Sequence, residues 1–259
     1  MQPLANFNKK IKILFTDIDD TLTTDGKLVA EAYTAIWLLH RAGIKVIPVT
    51  GRPAGWCDMI ARQWPIEGVI GENGGLYFRY VNKKMKRFFY QDEMEQLKNR
   101  KSLDLIGKEI LENVPGSEIS TDQFSRLLDL AIDISEDVSP IDQKGIDKIV
   151  NIFNSHGAQA KISSIHVNGW FGDYNKLSMA KKFLKDEIML DEKEWEENCA
   201  FIGDSPNDEP MFEFFPITFG VANISHFTKK MKSLPMFIAD YNGGLGFLQI
   251  AEKIINYSG

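Results

Sequence analysis

The sequence has little cysteine, no long apolar run and no excess of positive charge. Its two cysteines, Cys57 and Cys199, are too few for a disulfide framework, and neither has a His or Cys partner at ligand spacing, so both read as buried thiols. No apolar stretch approaches the roughly 18 residues a membrane span needs. The opening residues, MQPLANFNKKIKI, lack an apolar leader core and a cleavage site. A cytoplasmic protein without membrane contact is therefore expected. A net charge of −6 argues against nucleic-acid partners, which require a basic face; an anionic ligand would need positive charge gathered locally. With 44% apolar and 25% charged residues over 259 positions, the chain has the make-up of a globular protein with ample material for a core.

What is present is concentrated in Ile11 to Gly26, IKILFTDIDDTLTTDG. Ile11, Ile13, Leu14 and Phe15 form the short, nearly continuous apolar run of a strand buried on both faces, and Asp17, Asp19 and Asp20 follow directly. In an open α/β sheet, ligands bind in the crevice at the carboxyl ends of the strands, so carboxylates there stand where chemistry is done. Their mutual repulsion calls for a compensating charge. A hard, oxygen-liking cation such as Mg²⁺ suits such ligands. A plain acidic turn leading into a helix would account for the same string with no chemistry at all.

The chain continues with helical spacing from Ala30 to Ala42, Gly43 as a C-cap, and a second buried strand from Ile44 to Val49, an order that implies a parallel pair with a right-handed crossover. That strand ends in Thr50-Gly51-Arg52, where a hydroxyl, free N–H groups and a guanidinium can hold phosphate oxygens. Residues 54–64 read as a helix stopped by Pro65, followed by a short strand at Val69-Ile70. In Gly71-Glu72-Asn73-Gly74-Gly75, Asn73 either shapes a left-handed turn or reaches a ligand. Leu76 to Val81 and Lys86 to Tyr90 flank a turn over 82–85 as a hairpin. Beyond Asp92, a helix (94–114), a strand (127–134), a second helix (141–156) and a second strand (158–167) form a small α/β insertion. The chain thereby divides into core (1–91), cap (92–167) and core (168–259). Two cap loops, 120–126 and 167–171, are candidates for reading a ligand. Asn175-Lys176 then opens a helix over 177–184, where a lysine by itself reads as part of a solvated face. The strand 198–202 ends in Gly203-Asp204-Ser205-Pro206-Asn207-Asp208 and brings two carboxylates and an amide to the same sheet edge. A capped helix start explains Ser205 or Asn207 but not Asp204.

The string Asp17-Ile18-Asp19-Asp20-Thr21-Leu22-Thr23 resembles the first signature of the haloacid dehalogenase superfamily of phosphatases and phosphomutases, with Asp20 where that family more often has Gly. Thr50, Lys176 and Gly203 to Asp208 resemble its second, third and fourth signatures, in order. The insertion is similar to a compact form of the type-two cap found in the subgroup that includes sucrose-phosphate and mannosyl-phosphoglycerate phosphatases. The resemblance implies a Rossmann-like three-layer α/β core with a parallel sheet, plus a small inserted α/β cap. It also implies Mg²⁺-dependent phosphomonoester hydrolysis through an aspartyl-phosphate. Asp17 would then be the nucleophile and Asp19 the acid, with Thr50 and Lys176 holding the phosphoryl oxygens. Gly51, Arg52, Asn73, Lys176 and Asn207 would surround the substrate. The metal would be held by Asp17, Asp204, Asp208 and Asp19, the last through its backbone carbonyl. The expected partner is a small phosphorylated metabolite, in the first place a sugar phosphate. A phosphomutase similar to the phosphomannomutases, or a phosphate-binding module without activity, are the alternatives.

Overall fold

The structure, a computed structural model, describes residues 1–163 and 165–258. The first core segment runs β1 (Gln2–Pro3), β2 (Ile13–Thr16), the small hairpin β3 (Thr23–Thr24) and β4 (Lys27–Leu28), α1 (Ala30–Arg41), β5 (Lys45–Pro48) and α2 (Ala54–Gln63). It continues through β6 (Val69–Gly71), β7 (Leu76–Val81) and β8 (Lys84–Phe89). The insertion contains α3 (Glu93–Asn113), β9 (Glu118–Ile119), β10 (Asp129–Asp133), α4 (Gln143–Ser155), β11 (Gln159–Ile162) and β12 (His166–Trp170). The return segment holds α5 (Lys176–Phe183), α6 (Glu192–Asn198), β13 (Cys199–Gly203), α7 (Glu209–Phe214), β14 (Thr218–Gly220), β15 (Phe237–Ile238) and α8 (Gly243–Ser258).

The core sheet has strand order β1-β15-β14-β13-β2-β5, and all its pairings are parallel. Strand β2 is buried along its whole length, and its side chains divide between the two faces as the period of two requires. Leu14 packs with Ala32, Ile36 and Ile60 beneath α1 and α2 and with Phe247 and Ile250 of α8. Ile13 and Phe15 pack on the opposite face with Met179, Phe183 and Met211 of α5 and α7. The core is thus a three-layer sandwich with the carboxyl ends of β2, β5 and β13 side by side. A cap is inserted into it. Its antiparallel sheet, ordered β11-β12-β10-β9, carries α3 and α4 on one side over a separate core of Leu103, Ile106, Ile110, Ile132, Ile149 and Phe153.

The cap departs from the sequence reading in one instructive way. The strand expected over 158–167 is a hairpin of two strands, β11 and β12, with Ile162 opposite Val167; Ser164, within that stretch, lies outside the described residues. Consequently 167–171 is not a loop. His166 to Trp170 is a fully buried central strand. The other loop, 120–126, forms a 3₁₀ turn over Thr121–Ser125. In the core, the β7–β8 turn is the two-residue Asn82-Lys83, both with positive φ, the conformation that matches the twist of a hairpin, so β8 starts at Lys84 and not at Lys86.

Candidate active site

Strands β2 and β13 are neighbours in register, so the residues that follow them emerge together. Asp17 donates its backbone N–H to Ile202 O at 2.9 Å and points its carboxylate beyond the sheet edge. Lys176 comes from the first turn of α5. Asn175 fixes that turn with a capping box, its side chain accepting from Ser178 N while the Ser178 hydroxyl accepts from Asn175 N. The Lys176 ammonium, only 7% exposed, donates to Asp17 Oδ1 at 2.6 Å and to Asp208 Oδ1 at 2.9 Å. Asp208 accepts the Asp204 N–H on its other oxygen at 3.2 Å. Its carboxylate fills the space over Gly203, where an added Cβ would lie 2.4 Å from Asp208 Oδ2. That contact explains the glycine in Gly203-Asp204.

Asp17, Asp204 and Asp208 each bring a carboxylate oxygen within 4.8 Å of the others, and all three are buried. One ammonium does not balance them. Burial pushes the Asp17 carboxyl up, opposed by Lys176 and reinforced by Asp208 and Asp19, to about 8. Burial together with Asp17, Asp208 and Asp20 raises Asp204 well above the carboxylate range. A cluster of hard oxygen donors carrying this much unneutralised charge fits a divalent cation such as Mg²⁺. Asp204 is further oriented by Thr21, whose hydroxyl donates at 3.3 Å, and by Asn223, whose Nδ2 donates to Asp204 Oδ2 at 3.0 Å and to the Asp20 carbonyl at 3.1 Å. Asn223 was not anticipated from the sequence. It lies in a 3₁₀ turn after β14, and nothing in its immediate neighbours marks it.

The remaining expected residues fall around the same cavity of about 480 Å³, with the core as floor and the cap as roof. Gly51, Arg52, Asn73 and Asn207 line it. The Thr50 hydroxyl, fully buried, accepts the Arg52 N–H at 3.0 Å. Asn73 has φ 56° and so does shape the turn, yet its Nδ2 is buried without a hydrogen-bond partner, which leaves a donor at the cavity wall. Gly74, at φ +103°, lets this turn press on α5, since a Cβ there would meet Asn175 O at 2.2 Å. Two expected residues have engagements that the sequence did not suggest. The Asp19 carboxylate stands apart from the three-carboxylate cluster and accepts from Arg52 Nε at 2.9 Å. Arg52 in turn is stacked over Trp56 at 4.5 Å and donates to Glu136 of the cap at 3.0 Å, so its guanidinium already has partners on both sides. From the roof, Lys161, His166 and Asn168 reach the cavity.

Residues 14–114 match the family model of haloacid dehalogenase-like hydrolases. No curated protein matches the chain. Among solved structures, a Thermoplasma acidophilum protein shares 22% identity at a TM-score of 0.72, over 95% of this chain and 98% of its own. A Bacteroides thetaiotaomicron phosphatase of the haloalkanoate superfamily shares 19% identity at 0.63, over 96% of each chain. The Synechocystis sucrose-phosphatase, solved with sucrose and phosphate, shares 16% identity at 0.62, over 95% of this chain and 98% of its own. At such identities the likeness is one of fold. The segment from residue 14 to 114 thus carries the sequence pattern of the haloacid dehalogenase-like hydrolases, and the chain as a whole shares its fold with these solved structures.

Proposed function

We propose that the protein is a Mg²⁺-dependent phosphomonoester hydrolase that works through an aspartyl-phosphate on a small phosphorylated metabolite. The observation that carries this reading is the trio Asp17, Asp204 and Asp208 around the single ammonium of Lys176, a set of charges that calls for both a cation and an anionic substrate. The carboxylate of Asp17 attacks phosphorus in line, forming an O–P bond as the bond to the leaving oxygen breaks, which splits one hard displacement into two easier ones. Asp19 gives the leaving oxygen its proton and then takes one from the water that hydrolyses the acyl phosphate. Lys176 and the Thr50 hydroxyl hold phosphoryl oxygens, and Asn73 Nδ2 supplies a further donor. Asp208 holds Lys176 in place. Bound at Asp17, Asp204 and the Asp19 carbonyl, Mg²⁺ would neutralise charge shared by the nucleophile and the phosphoryl group.

The cap, expected over residues 92–167 and here carried through β12 to Trp170, roofs the cavity and leaves room for a metabolite but not for a folded protein. A sugar phosphate is the favoured substrate, in keeping with related folds described as a sucrose-phosphatase, a sugar phosphatase and a trehalose-6-phosphate phosphatase related protein. Fold kinship alone sets only this preference. Phosphate release from a panel of phosphorylated metabolites, with Mg²⁺ and then with EDTA, tests the proposal. Sugar phosphates should lead and EDTA should stop turnover. Isomer interconversion in the presence of a sugar bisphosphate, without net phosphate release, would replace the hydrolase by a phosphomutase.

A further inference from the structure

The cap residue Glu136 belongs to none of the expected loops, yet it is delivered to the site with care. The buried Asp133, at the end of β10, accepts the backbone N–H groups of Ser135, Glu136 and Asp137 at 2.9, 2.8 and 2.8 Å. These bonds coil the following turn so that Glu136 faces the core. Its Oε1 accepts from Arg52 Nη1 at 3.0 Å, and its Oε2 lies 2.9 Å from Nε2 of the buried His166 on β12. On its other edge, Arg52 directs both Nε, at 2.9 Å, and Nη2, at 2.8 Å, to one oxygen of Asp19, Oδ1. A row of four side chains therefore runs from the cap sheet to the floor of the cavity: His166, Glu136, Arg52, Asp19.

A carboxylate turns freely about its terminal torsion, which is broad and nearly two-fold. Fixing Oδ1 with two donors stops that rotation and presents Oδ2 to the cavity. Arg52 can hold this pose only if its own long side chain is held, and the contacts that do so are the Trp56 ring on the core and, on the cap, Glu136 at 3.0 Å with Asp122 farther off at 3.9 Å. We propose that Glu136 is a positioning residue for the acid: through the shared guanidinium of Arg52, closure of the cap sets the orientation of Asp19, so that leaving-group protonation is available only beneath a closed roof. The inference rests on the hydrolase reading above and adds to it a cap residue that acts without touching the substrate.

The test compares leaving groups. An alkyl phosphate such as glycerol phosphate or a sugar phosphate needs a proton as it departs, whereas p-nitrophenolate does not. In Glu136→Ala, kcat/KM, which reports phosphoryl transfer to Asp17 and not the later hydrolysis common to all substrates, should fall at least about tenfold on the alkyl phosphate, a part of what an acid contributes, while kcat/KM on p-nitrophenyl phosphate stays within about twofold. The slope of log kcat/KM against leaving-group basicity should steepen accordingly. Glu136→Gln, which keeps an oxygen for Arg52 but not the charge, should fall between. The side chain is 30% exposed, so both variants should fold, which their melting temperatures check. Equal losses on the two substrates, or none on the alkyl phosphate, would overturn the inference and leave the hydrolase intact. No Mg²⁺-dependent turnover of p-nitrophenyl phosphate by the unmodified protein would instead overturn the hydrolase reading, and this inference with it.

Discussion

Two buried clusters in this molecule pair one cation with three carboxylates, and they are built to opposite ends. At the cavity floor, Lys176 meets Asp17, Asp204 and Asp208. At the junction of cap and core, Arg126, its side chain fully buried, binds Asp122 through Nε and Nη2 and Asp129 through Nη1, and also donates to the Gly51 carbonyl at 2.9 Å. The third carboxylate at the junction, Glu72, accepts four backbone N–H groups, from Ala54 at the start of α2 and from Leu127, Leu128 and Asp129 where the chain enters β10. Burial and Asp129 raise Glu72 to about 7, while those N–H donors pull it back toward the ionised form. The formal charges of the two clusters are alike; the supply of donors is not. At the junction the carboxylates are wrapped in N–H groups and the result is a clamp, whereas at the floor Asp17 and Asp204 face an open cavity. Incomplete satisfaction, and not charge as such, separates a site from a joint.

The contrast is most severely tested at the floor. Asp17→Asn should reduce turnover by roughly 10⁴-fold or more, as the loss of a nucleophile does, while the melting temperature holds or rises, because a buried carboxylate beside two others is removed. Turnover of p-nitrophenyl phosphate at the parent rate would show that Asp17 is not the nucleophile. Asp204→Asn should raise the Mg²⁺ concentration for half-maximal activity by at least about 10- to 100-fold, the range that even an outer partner of a metal costs. A Mg²⁺ titration that leaves this midpoint unmoved would remove Asp204 from the metal.

At the junction the expected signs reverse. Arg126→Leu should destabilise the fold by about 3 to 5 kcal/mol, because it strands the buried Asp129 as an unpaired charge and takes the guanidinium from the half-buried Asp122; urea unfolding measures this. Glu72→Ala should cost about 1 to 3 kcal/mol for each backbone donor that water does not reach, and refolded protein should retain its Mg²⁺ midpoint. A shifted midpoint in either variant would merge the two clusters into one. The smallest effect is expected at Glu136. The His166 ring, with Nε2 at 2.9 Å, and then the charge of Arg52 hold its carboxyl at about 2 against an ordinary 4.5. A depressed carboxylate stabilises the fold fully above the unfolded pKa and loses that contribution as pH falls through the folded one. The gap in melting temperature between the unmodified protein and Glu136→Gln should therefore be complete above about pH 4.5, narrow near pH 3 and vanish toward pH 2. A gap independent of pH would mean that the Glu136 charge contributes nothing.

The floor cluster was legible in the sequence because a strand that ends in Asp must place it at the sheet edge. Asp17 and Asp204 are fixed by β2 and β13, whereas Lys176, which by itself reads as part of a solvated face, was legible only through the family resemblance. Arg52 was legible as a cation at a strand end, but its partners were not. Glu136 lies 84 residues further along the chain, in the short connection between the strand expected over 127–134 and the helix expected over 141–156. Glu72 and Arg126 are similarly remote, with Glu72 meeting Leu128 across 56 residues. Such pairs follow from how two bodies dock, and no local pattern encodes that. The hairpin of β11 and β12 was missed for a different reason. Apolar residues recur at every second position on both sides of the turn, at 158, 160 and 162 and again at 165 and 167, and the single break between them, the serine pair at 163 and 164, is too short a polar interval to read as the end of a strand.

The order of the strands also constrains when the site can exist. Thr21 and Asp204 touch although 183 residues separate them, because β2 waits at the middle of the sheet for β13. Closing so long a loop is entropically unfavourable and slow. The insertion shortens the detour: where the chain leaves for the cap, Gln91 Nε2 donates to the carbonyl of Phe171, where it comes back, at 2.5 Å. Once folded, the cap brings the two points together, and the unfolded path that β13 must cross contracts by the length of the excursion. The whole of the cap is also synthesised before β13, and the pairing of β2 with β13 is the step that brings Asp17 and Asp204 to one sheet edge.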